Sequence, residues 1–349
     1  QKIIANNANS KISDKINSQR TVSASFSHFI MSFPIKPGKW TAAISLRPYS
    51  TVDYKHSVQT EVSGFPGQTY SNNVEGTGGI NKVMFSNGIK IIPNLSIGIN
   101  ASYLFGAIVK EQAASQISDT TVVAFYNPAS KRKQTFADFA FGAGALYSYK
   151  LKDKLRLNVG VTYDLKTDIN TRRLESWETR YQETPIASDS LSNGLEKGIT
   201  TIPTAFGVGI SLVKTLNWSV ALDMKTQDWS NFSDFQGSNH GMGKSTFLGL
   251  GGEITPDAGD INSYLSRVTY RLGVAYESMA YQLNNNNVKD FGINFGFSLP
   301  VGSLSSADLG FKYGMRGNVD KIGHTEEYFK FQVGITFNDR LWFIKRKFD

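Results

Sequence analysis

The feature that most constrains the fold is a two-residue alternation that ends the chain and recurs along most of it. Side chains of a β-strand point alternately to opposite faces, so such a segment has one apolar face and one polar or crowded face. The same pattern returns at 95–105, 155–165, 268–276, 291–299 and 309–315. In the final segment the apolar positions are Phe329, Phe331, Val333, Ile335 and Phe337.

Weaker alternation extends the pattern to most of the chain. It predicts further strands near 21–33, 40–50, 79–91, 135–150, 199–213, 218–226 and 245–255, which with the six clearest segments makes thirteen. Phe, Tyr and Trp make up 12% of the residues and concentrate on the apolar faces. We therefore expect an all-β protein whose apolar faces are unusually aromatic.

Composition excludes several classes of protein. No apolar run approaches the roughly 18 residues of a membrane-spanning helix, whereas a barrel strand needs only about 9–11. The absence of cysteine excludes disulfides, thiol catalysis and cysteine-based zinc sites. Although the net charge is +8, the basic residues are scattered apart from clusters at 131–133 and 345–347. We therefore expect no nucleic-acid partner.

The connections between the predicted strands alternate in length. Short turns follow residues 33, 91, 150, 213 and 299, and between them lie long polar stretches at 51–78, 108–134, 167–198 and 227–244. Structureless loops of this length are uncommon in soluble domains. A soluble sandwich would also need a second sheet to cover its aromatic face. The pattern therefore predicts an antiparallel transmembrane β-barrel of the bacterial outer membrane, with short periplasmic turns and long external loops.

Strand parity predicts one more strand than the thirteen above. Single-chain barrels normally have an even number of strands and both termini in the periplasm. An outward-running strand should therefore precede residue 21, giving about fourteen strands, yet residues 1–20 are polar and do not resemble one. Either the native chain begins earlier, so that this sequence lacks its first strand, or a strand near 170–183 has been miscounted.

This count divides the chain into three parts. We expect a polar N-terminal segment at 1–20, the barrel at 21–338, and a basic, aromatic periplasmic tail at 339–349. Phe337 closes the last strand and would be the residue that the assembly machinery recognises. The tail would either anchor at the membrane interface or dock a periplasmic partner.

Several stretches of the sequence form a fairly specific combination through their order and spacing. They are 29–34 leading into Trp40, 46–50 followed by Tyr54, 95–106, 251–253 before Pro256, 264–267 into 270–273, 290–292, and 337–347. Together they resemble the FadL/TodX family of fourteen-stranded outer-membrane transporters for hydrophobic compounds, in its Bacteroidota-type form. The resemblance implies a barrel with an N-terminal hatch, a hydrophobic ligand such as a fatty acid, and its release through a gap in the wall. Nothing before residue 21 resembles the hatch.

Two neighbouring irregularities predict where the wall could open. Pro48, between Arg47 and Tyr49, cannot donate a ladder hydrogen bond, so it indicates a break, unless the strand ends at Arg47 and Pro48 opens the loop. The apolar phase also shifts at His28 and Phe29, as a β-bulge would cause. These five residues are our candidate wall opening.

Polar residues on the opposite faces of the strands are candidates for the lumen lining. They could line a pathway, or form an internal salt-bridge network that fills a narrow barrel. The set is Asp138, Arg156, Asn158, Arg271, Asp290, Asn294, Asp308 and Lys312.

No motif points to an enzyme, a cofactor or a metal. The segment 241–245 suggests a phosphate-binding loop, but Ser238 stands where that motif requires glycine. The histidines (His28, His56, His240 and His324) lack metal-ligand spacing, and no Gly-x-Ser-x-Gly sequence is present.

Two functions therefore remain open. The barrel could take up small hydrophobic molecules passively, or it could be a non-transporting scaffold subunit of a larger outer-membrane complex for secretion or assembly. Membrane lipid would be a partner in both cases. The uptake protein would also bind a hydrophobic small molecule, and the scaffold subunit would bind other outer-membrane proteins or a periplasmic partner.

Overall fold

The chain forms one large antiparallel sheet. A computed structural model describes residues 2–5, 17–20, 24–61, 68–118, 126–181, 184–190, 195–283, 286–301, 305–318 and 324–338. These residues contain eighteen strand segments, all in the same sheet. All the strand pairings among them are antiparallel.

The strand segments follow one another along the chain with few helical residues between them. A 3-10 turn occupies Trp229–Asn231 and a short helix, α1, occupies Tyr264–Arg267. The strands are β1 (Lys2–Ala5), β2 (Asn17–Arg20), β3 (Phe29–Lys36), β4 (Trp40–Glu61), β5 (Gln68–Ile92), β6 (Leu95–Ser118), β7 (Tyr126–Lys152), β8 (Leu155–Asp164), β9 (Thr167–Tyr181), β10 (Thr184–Ser190), β11 (Glu196–Ile202), β12 (Ala205–Lys214), β13 (Trp218–Asp228), β14 (Lys244–Ile254), β15 (Thr269–Leu283), β16 (Asn286–Val301), β17 (Ser305–Asn318) and β18 (His324–Thr336).

Seven of these segments are pieces of three interrupted wall strands. β8 and β9 pair with successive parts of β7, and β12, β11 and β10 pair with successive parts of β8 and β9. β2 and β3 run in the same direction and are separated by residues 21–28. Merging them removes four of the eighteen segments and leaves fourteen wall positions, the number that strand parity predicts.

The first wall position lies within residues 1–20, where we expected no strand. Lys2–Ala5 pairs with residues 324–327 of β18 on one side and with Asn17–Arg20 on the other. It runs outward, as the parity argument requires. Among the described residues, the rest of β18 pairs only with β17. The segment near 170–183 adds no wall position, because β9 continues β8.

Four strands on one side are far longer than the sequence indicated. β4, β5, β6 and β7 contain 22, 25, 24 and 27 residues, although about 9–11 suffice to cross a bilayer. The expectation of long loops at 51–78, 108–134 and 167–198 was therefore wrong. Above the membrane both faces of a sheet meet water, so the apolar alternation disappears while the backbone ladder continues. Residues 227–244 do contain a loop, at 229–243.

The opposite end of the barrel carries short turns at 37–39, 93–94, 153–154 and 215–217. In outer-membrane barrels this end faces the periplasm. Residues 255–268, which include α1, form one longer connection there that the sequence did not indicate. Ser263 caps α1 by accepting a hydrogen bond from the Ser266 N–H.

The two faces of the wall differ in chemistry. The outward face carries exposed aromatic residues, and Phe311 contacts the rings of Phe297, Phe329 and Phe331. The inward face of β14 to β18 carries glycines and charged residues. Gly292 is one example, since it follows the outward-facing Phe291 and therefore points into the barrel. This arrangement suits a barrel whose outer surface meets lipid.

Among the described residues, no helix is long and apolar enough to span a bilayer.

Candidate functional site

The inward face of β14 to β18 holds a first charge network, near the periplasmic end. Arg271 donates to Glu253 at 3.0 Å and lies 3.6 Å from Asp308. Asp308 also accepts hydrogen bonds from Ser298 and, at 2.7 Å, from Thr336. The ladder register places all five on the same face of adjacent strands. Each charge is therefore neutralised within the wall.

A second network lies further out and is more buried. Asp290, 3% exposed, accepts hydrogen bonds from the Tyr328 hydroxyl at 2.7 and 2.9 Å and from Arg316 at 3.0 Å. Lys312 lies 3.4 Å from the same carboxylate, and Arg316 lies 3.5 Å from Glu326. The Tyr328 ring lies over Gly314, where a Cβ would be 2.3 Å from the ring. These contacts join β16, β17 and β18 on the inward face.

The remaining predicted lining residues do not join these networks. Asn294 faces inward opposite Lys312, and Arg156 is exposed at the periplasmic end. Asn158 forms hydrogen bonds with Ser148 and, at 3.2 Å, with Ser211. Their role in lining a pathway stays a prediction.

Asp138 occupies an irregularity where β8 gives way to β9. Its carboxylate accepts hydrogen bonds from the backbone N–H of Asn170 at 3.0 Å and from the Asn170 amide at 2.7 Å. The β7 ladder is interrupted here, between the pairs that end at Phe136 and resume at Gly142. The side chain thus replaces a missing ladder hydrogen bond.

Toward the outer end, an apolar cluster crosses the inward face of the long strands. Ile80, Leu104, Phe136, Ile169 and Ile202 belong to β5, β6, β7, β9 and β11, and each is at most 8% exposed. We call this cluster the partition. Because its members have almost no contact with water, it is a dry layer inside the barrel.

Residues from opposite sides of the barrel meet at the partition. Tyr49 of β4 and Trp229, which follows β13, pack against it. The Tyr49 hydroxyl lies within reach of the Gln227 side chain, whose amide donates to the Pro203 carbonyl at 2.8 Å. Since β4 and β13 are distant along the sheet, this contact bridges the lumen.

Charged residues surround the same level. Arg47 and Lys82 are paired residues of β4 and β5. Lys82 is within electrostatic range of Arg47, Asp164 and Lys225, and Asp164 of β8 is 3.3 Å from Lys225 of β13. Charged residues of four strands therefore lie near one another at this level.

The 229–243 loop turns inward above the partition. Ser233 exchanges two backbone hydrogen bonds with Thr201, at 2.8 and 3.3 Å. The Phe235 ring lies against Gly198, where a Cβ would be 2.6 Å from it, and Arg173 stacks 4.4 Å from the ring centroid. The two backbone hydrogen bonds therefore do not hold this loop alone, because the Phe235 ring also packs against the wall. We call residues 229–243 the inward loop.

Asp234 closes the turn that presents Phe235. It accepts hydrogen bonds from the N–H groups of Gln236 and Ser238 at 2.8 and 2.9 Å, and its second oxygen lies 2.7 Å from the His240 ring nitrogen. Burial alone would raise the pKa of Asp234, but these hydrogen bonds outweigh it and hold the pKa below its ordinary range.

The five residues of the predicted wall opening lie at the top of the seam between β3 and β4. The last pair of this seam is Phe29 with Leu46, and His28, which precedes it, is exposed and outside any strand. β4 continues to Glu61, so the alternative that the strand ends at Arg47 is wrong. Beyond Leu46, β4 pairs only with β5 among the residues that the structure describes.

A bulge follows Pro48, as its missing N–H group predicts. Pro48 pairs with Asn81 and Ser50 with Ile80, so Tyr49 is the extra residue and turns toward the partition. Gly79 faces this bulge with φ of +153°, and a Cβ there would be 2.3 Å from the Ser50 carbonyl oxygen. Whether the wall opens at this seam stays a prediction.

The last predicted site residue, Phe337, follows the end of β18 and is 81% exposed. Its role in assembly stays a prediction, and the tail at 339–349 lies outside the described residues.

The sequence did not indicate Tyr328, Arg316 and Glu253 as site residues, because one strand alone does not reveal which inward side chains meet across the ladder. No group of three or more residues suited to holding a metal occurs in the described part of the chain.

These features define an antiparallel β-barrel with an apolar outer face. The fold is similar to that of the P. putida toluene transporter TodX, with a TM-score of 0.55 and 13% identity over 96% of this chain and 86% of that one. A second similar structure is the TodX deltaS2S3 mutant monoaromatic hydrocarbon channel, with a TM-score of 0.51 and 14% identity over 85% of this chain and 79% of that one. Likeness at this level of identity concerns the fold.

The family is identified by a match over nearly the whole sequence. The BamG family model matches residues 2–349, and the chain belongs to the BamG family. No curated protein sequence matches the chain.

Proposed function

We propose that this protein is a structural subunit of a larger outer-membrane complex and that its long strands hold a protein partner outside the membrane. The observation that carries the proposal is the length of β4 to β7, 22–27 residues. At roughly 3.3 Å per residue, the 12 or more residues beyond a membrane crossing extend about 40 Å along each strand outside the bilayer. We call this projecting part of β4 to β7, β9 and β10 the outer sheet.

Exposed aromatic residues on the outer sheet support this role. Tyr126 and Tyr181 pair at its tip with ring centroids 6.4 Å apart, and Trp177 is 47% exposed. Such residues, far above the lipid, are of the types enriched in protein–protein interfaces. The sheet beneath them is braced by ion pairs, among them Arg180 with Glu111 at 2.6 Å. A rigid surface with protruding rings loses little entropy on binding.

The partition gives a second reason to favour a scaffold over a channel. A dry layer with contacts between β4 and β13 opposes free diffusion through the barrel. The barrel would then serve to anchor and orient the outer sheet.

The test is copurification from the native membrane in mild detergent. We expect wild-type protein to elute in a stoichiometric complex with another outer-membrane protein. The variant Tyr126→Ala/Trp177→Ala/Tyr181→Ala should fold, as judged by heat-modifiable gel mobility, but elute without that partner. The matched control is Tyr147→Ala/Tyr149→Ala, which removes two exposed aromatics near the periplasmic end. A wild-type monomer, or a complex unaffected by the triple variant, would contradict the proposal.

A second candidate is passive uptake of a hydrophobic small molecule, and the seam beside Pro48 favours it. A cavity of about 590 Å³ on the inward face, lined by Asn158, Gly207 and Phe247 among others, could receive such a molecule below the partition. Replacing Pro48 by Val should straighten β4, close the seam and impair the uptake of a hydrophobic substrate while leaving folding intact. Unchanged uptake would remove the seam as a gate.

A further inference from the structure

Two cations face each other on the outward surface of the wall. Arg172 of β9 and Lys197 of β11 are directly paired in the ladder. Their neighbours Thr171 and Gly198 point inward, since Thr171 is 1% exposed and Phe235 packs on Gly198. Alternation therefore places Arg172 and Lys197 outside the barrel. We call them the rim pair.

The rim pair has no counter-ion among the described residues. Directly opposed like charges destabilise a ladder unless an anion lies between them. The nearby carboxylates are engaged elsewhere: Asp168 with Lys166 at 3.5 Å, Asp138 with Asn170 at 2.7 Å, and Glu196 with the inward-facing Arg173 at 2.7 Å. No described carboxylate forms an ion pair with Arg172 or Lys197.

A cavity of about 390 Å³ adjoins the rim pair. No carboxylate is among its lining residues in the described part of the chain. The lining residues are Thr135, Ala137, Asn170, Thr171, Arg172, Lys197 and Gly198. It therefore combines two cations with the hydroxyl and amide groups that bind an anion.

The height of the cavity indicates the source of that anion. Thr135 pairs with Arg172, and four residues further down β7 lies Phe139, which is exposed on the lipid-facing side. Four residues of strand span about 13 Å, so the rim pair lies just above the apolar band. In an outer-membrane barrel this is the level of the head groups of the external leaflet.

We propose that the rim pair binds the phosphate of a phosphorylated lipid in the external leaflet. Arg172 would bind two phosphate oxygens through its planar guanidinium, and Lys197 would add a second charge from the facing strand. The lipid would thereby attach to the wall directly below the outer sheet and relieve the repulsion between the two cations. The inference requires only that the barrel lies in the outer membrane, and it is independent of any protein partner.

The experiment measures lipid retention by native mass spectrometry of the whole purified protein. The probes are lipid A and the same lipid after enzymatic removal of its phosphates. We expect wild-type protein to retain phosphorylated lipid A, and Arg172→Gln/Lys197→Gln to retain about thirtyfold less, the factor expected for two interfacial cations. The control Lys36→Gln/Lys39→Gln removes two cations at the periplasmic end and should behave as wild type.

Three outcomes would overturn the proposal. The first is equal retention of lipid A with and without phosphate, and the second is equal loss in the control variant. The third is displacement of lipid A by millimolar inorganic phosphate, which would make the site one for a free anion. Heat-modifiable mobility of both variants verifies that each has folded.

Discussion

The strands on the two sides of the barrel wall differ in length and in the contacts that stabilise them. β13 to β18 contain 11–16 residues, enough to cross the membrane, with aromatics outward and two charge networks inward, of which the one around Asp290 is buried. β4 to β7 contain 22–27 residues, bury an apolar partition at mid-height and continue outward as the outer sheet. The short side stabilises itself with ion pairs along the ladder, whereas the long side is stabilised by apolar packing and contacts across the lumen.

This difference shows that membrane crossing and outward projection have separate requirements. Lipid demands an apolar outward face over about ten residues. Beyond that height only the hydrogen-bonded ladder and cross-strand pairs are needed, such as Lys55 with Glu75 at 3.4 Å. One barrel can therefore anchor a tall sheet without changing its lipid-facing surface.

The largest effect should come from removing the centre of the short side's network. Asp290→Asn leaves Arg316 and Lys312 without their shared carboxylate, so we expect a loss of about 3–5 kcal/mol in the free energy of unfolding. Guanidinium unfolding in detergent micelles measures it. The control Asp153→Asn removes the ion pair between Asp153, whose side chain is 92% exposed, and Lys150. It should change the free energy of unfolding little. Equal effects of the two variants would show that the network does not stabilise the short side.

The corresponding change on the long side removes packing. Leu104 is 2% exposed in the partition, and Leu104→Ala should destabilise the barrel by about 3 kcal/mol. It should also raise ion conductance in planar bilayers, because the dry layer becomes thinner. The control is Ile99→Ala on the same strand, which removes a lipid-facing side chain that is 66% exposed. Stability that falls without any gain in conductance would mean that the partition does not block the lumen.

The sequence predicted the short side better than the long side for a physical reason. Lipid imposes strict alternation, so Phe291, Phe295 and Phe297 marked their strand, and parity gave the number of wall positions. The outer sheet meets water on both faces, and its polar residues resemble loops. Pro48 indicated the break in the β4 ladder because the lack of a backbone N–H follows from the residue type alone. The partition depends on Tyr49 meeting Gln227 across the lumen, which no local pattern encodes.

A smaller effect is expected where β4 and β5 bend toward the partition. Gly79→Ala would place a Cβ 2.3 Å from the Ser50 carbonyl oxygen, at φ of +153°. We expect a loss of about 1–3 kcal/mol in the free energy of unfolding. Gly88→Ala, lower on β5, has no atom within 4 Å of the added Cβ and is the matched control. If both variants unfold at the same guanidinium concentration, the bend at Gly79 is not needed for the partition.

The smallest effect concerns the inward loop, which joins the two sides. Because the folded-state pKa of Asp234 is lowered, its contribution to loop stability is complete above its ordinary pKa of about 3.9 and is lost as the pH falls through the lowered value. Asp234→Asn keeps the side-chain shape but removes the charge, so it should weaken the loop by about 1 kcal/mol at neutral pH and abolish the acid transition.

A nitroxide label measures this effect. The chain has no cysteine, so a nitroxide on Gln236→Cys reports loop mobility alone. We expect its spectrum to sharpen on acidification in the otherwise wild-type loop. With Asp234→Asn as the second change, the spectrum should not depend on pH. A spectrum that sharpens equally in both would assign the acid transition to another group and leave Phe235, rather than Asp234, as the group that holds the loop to the long side.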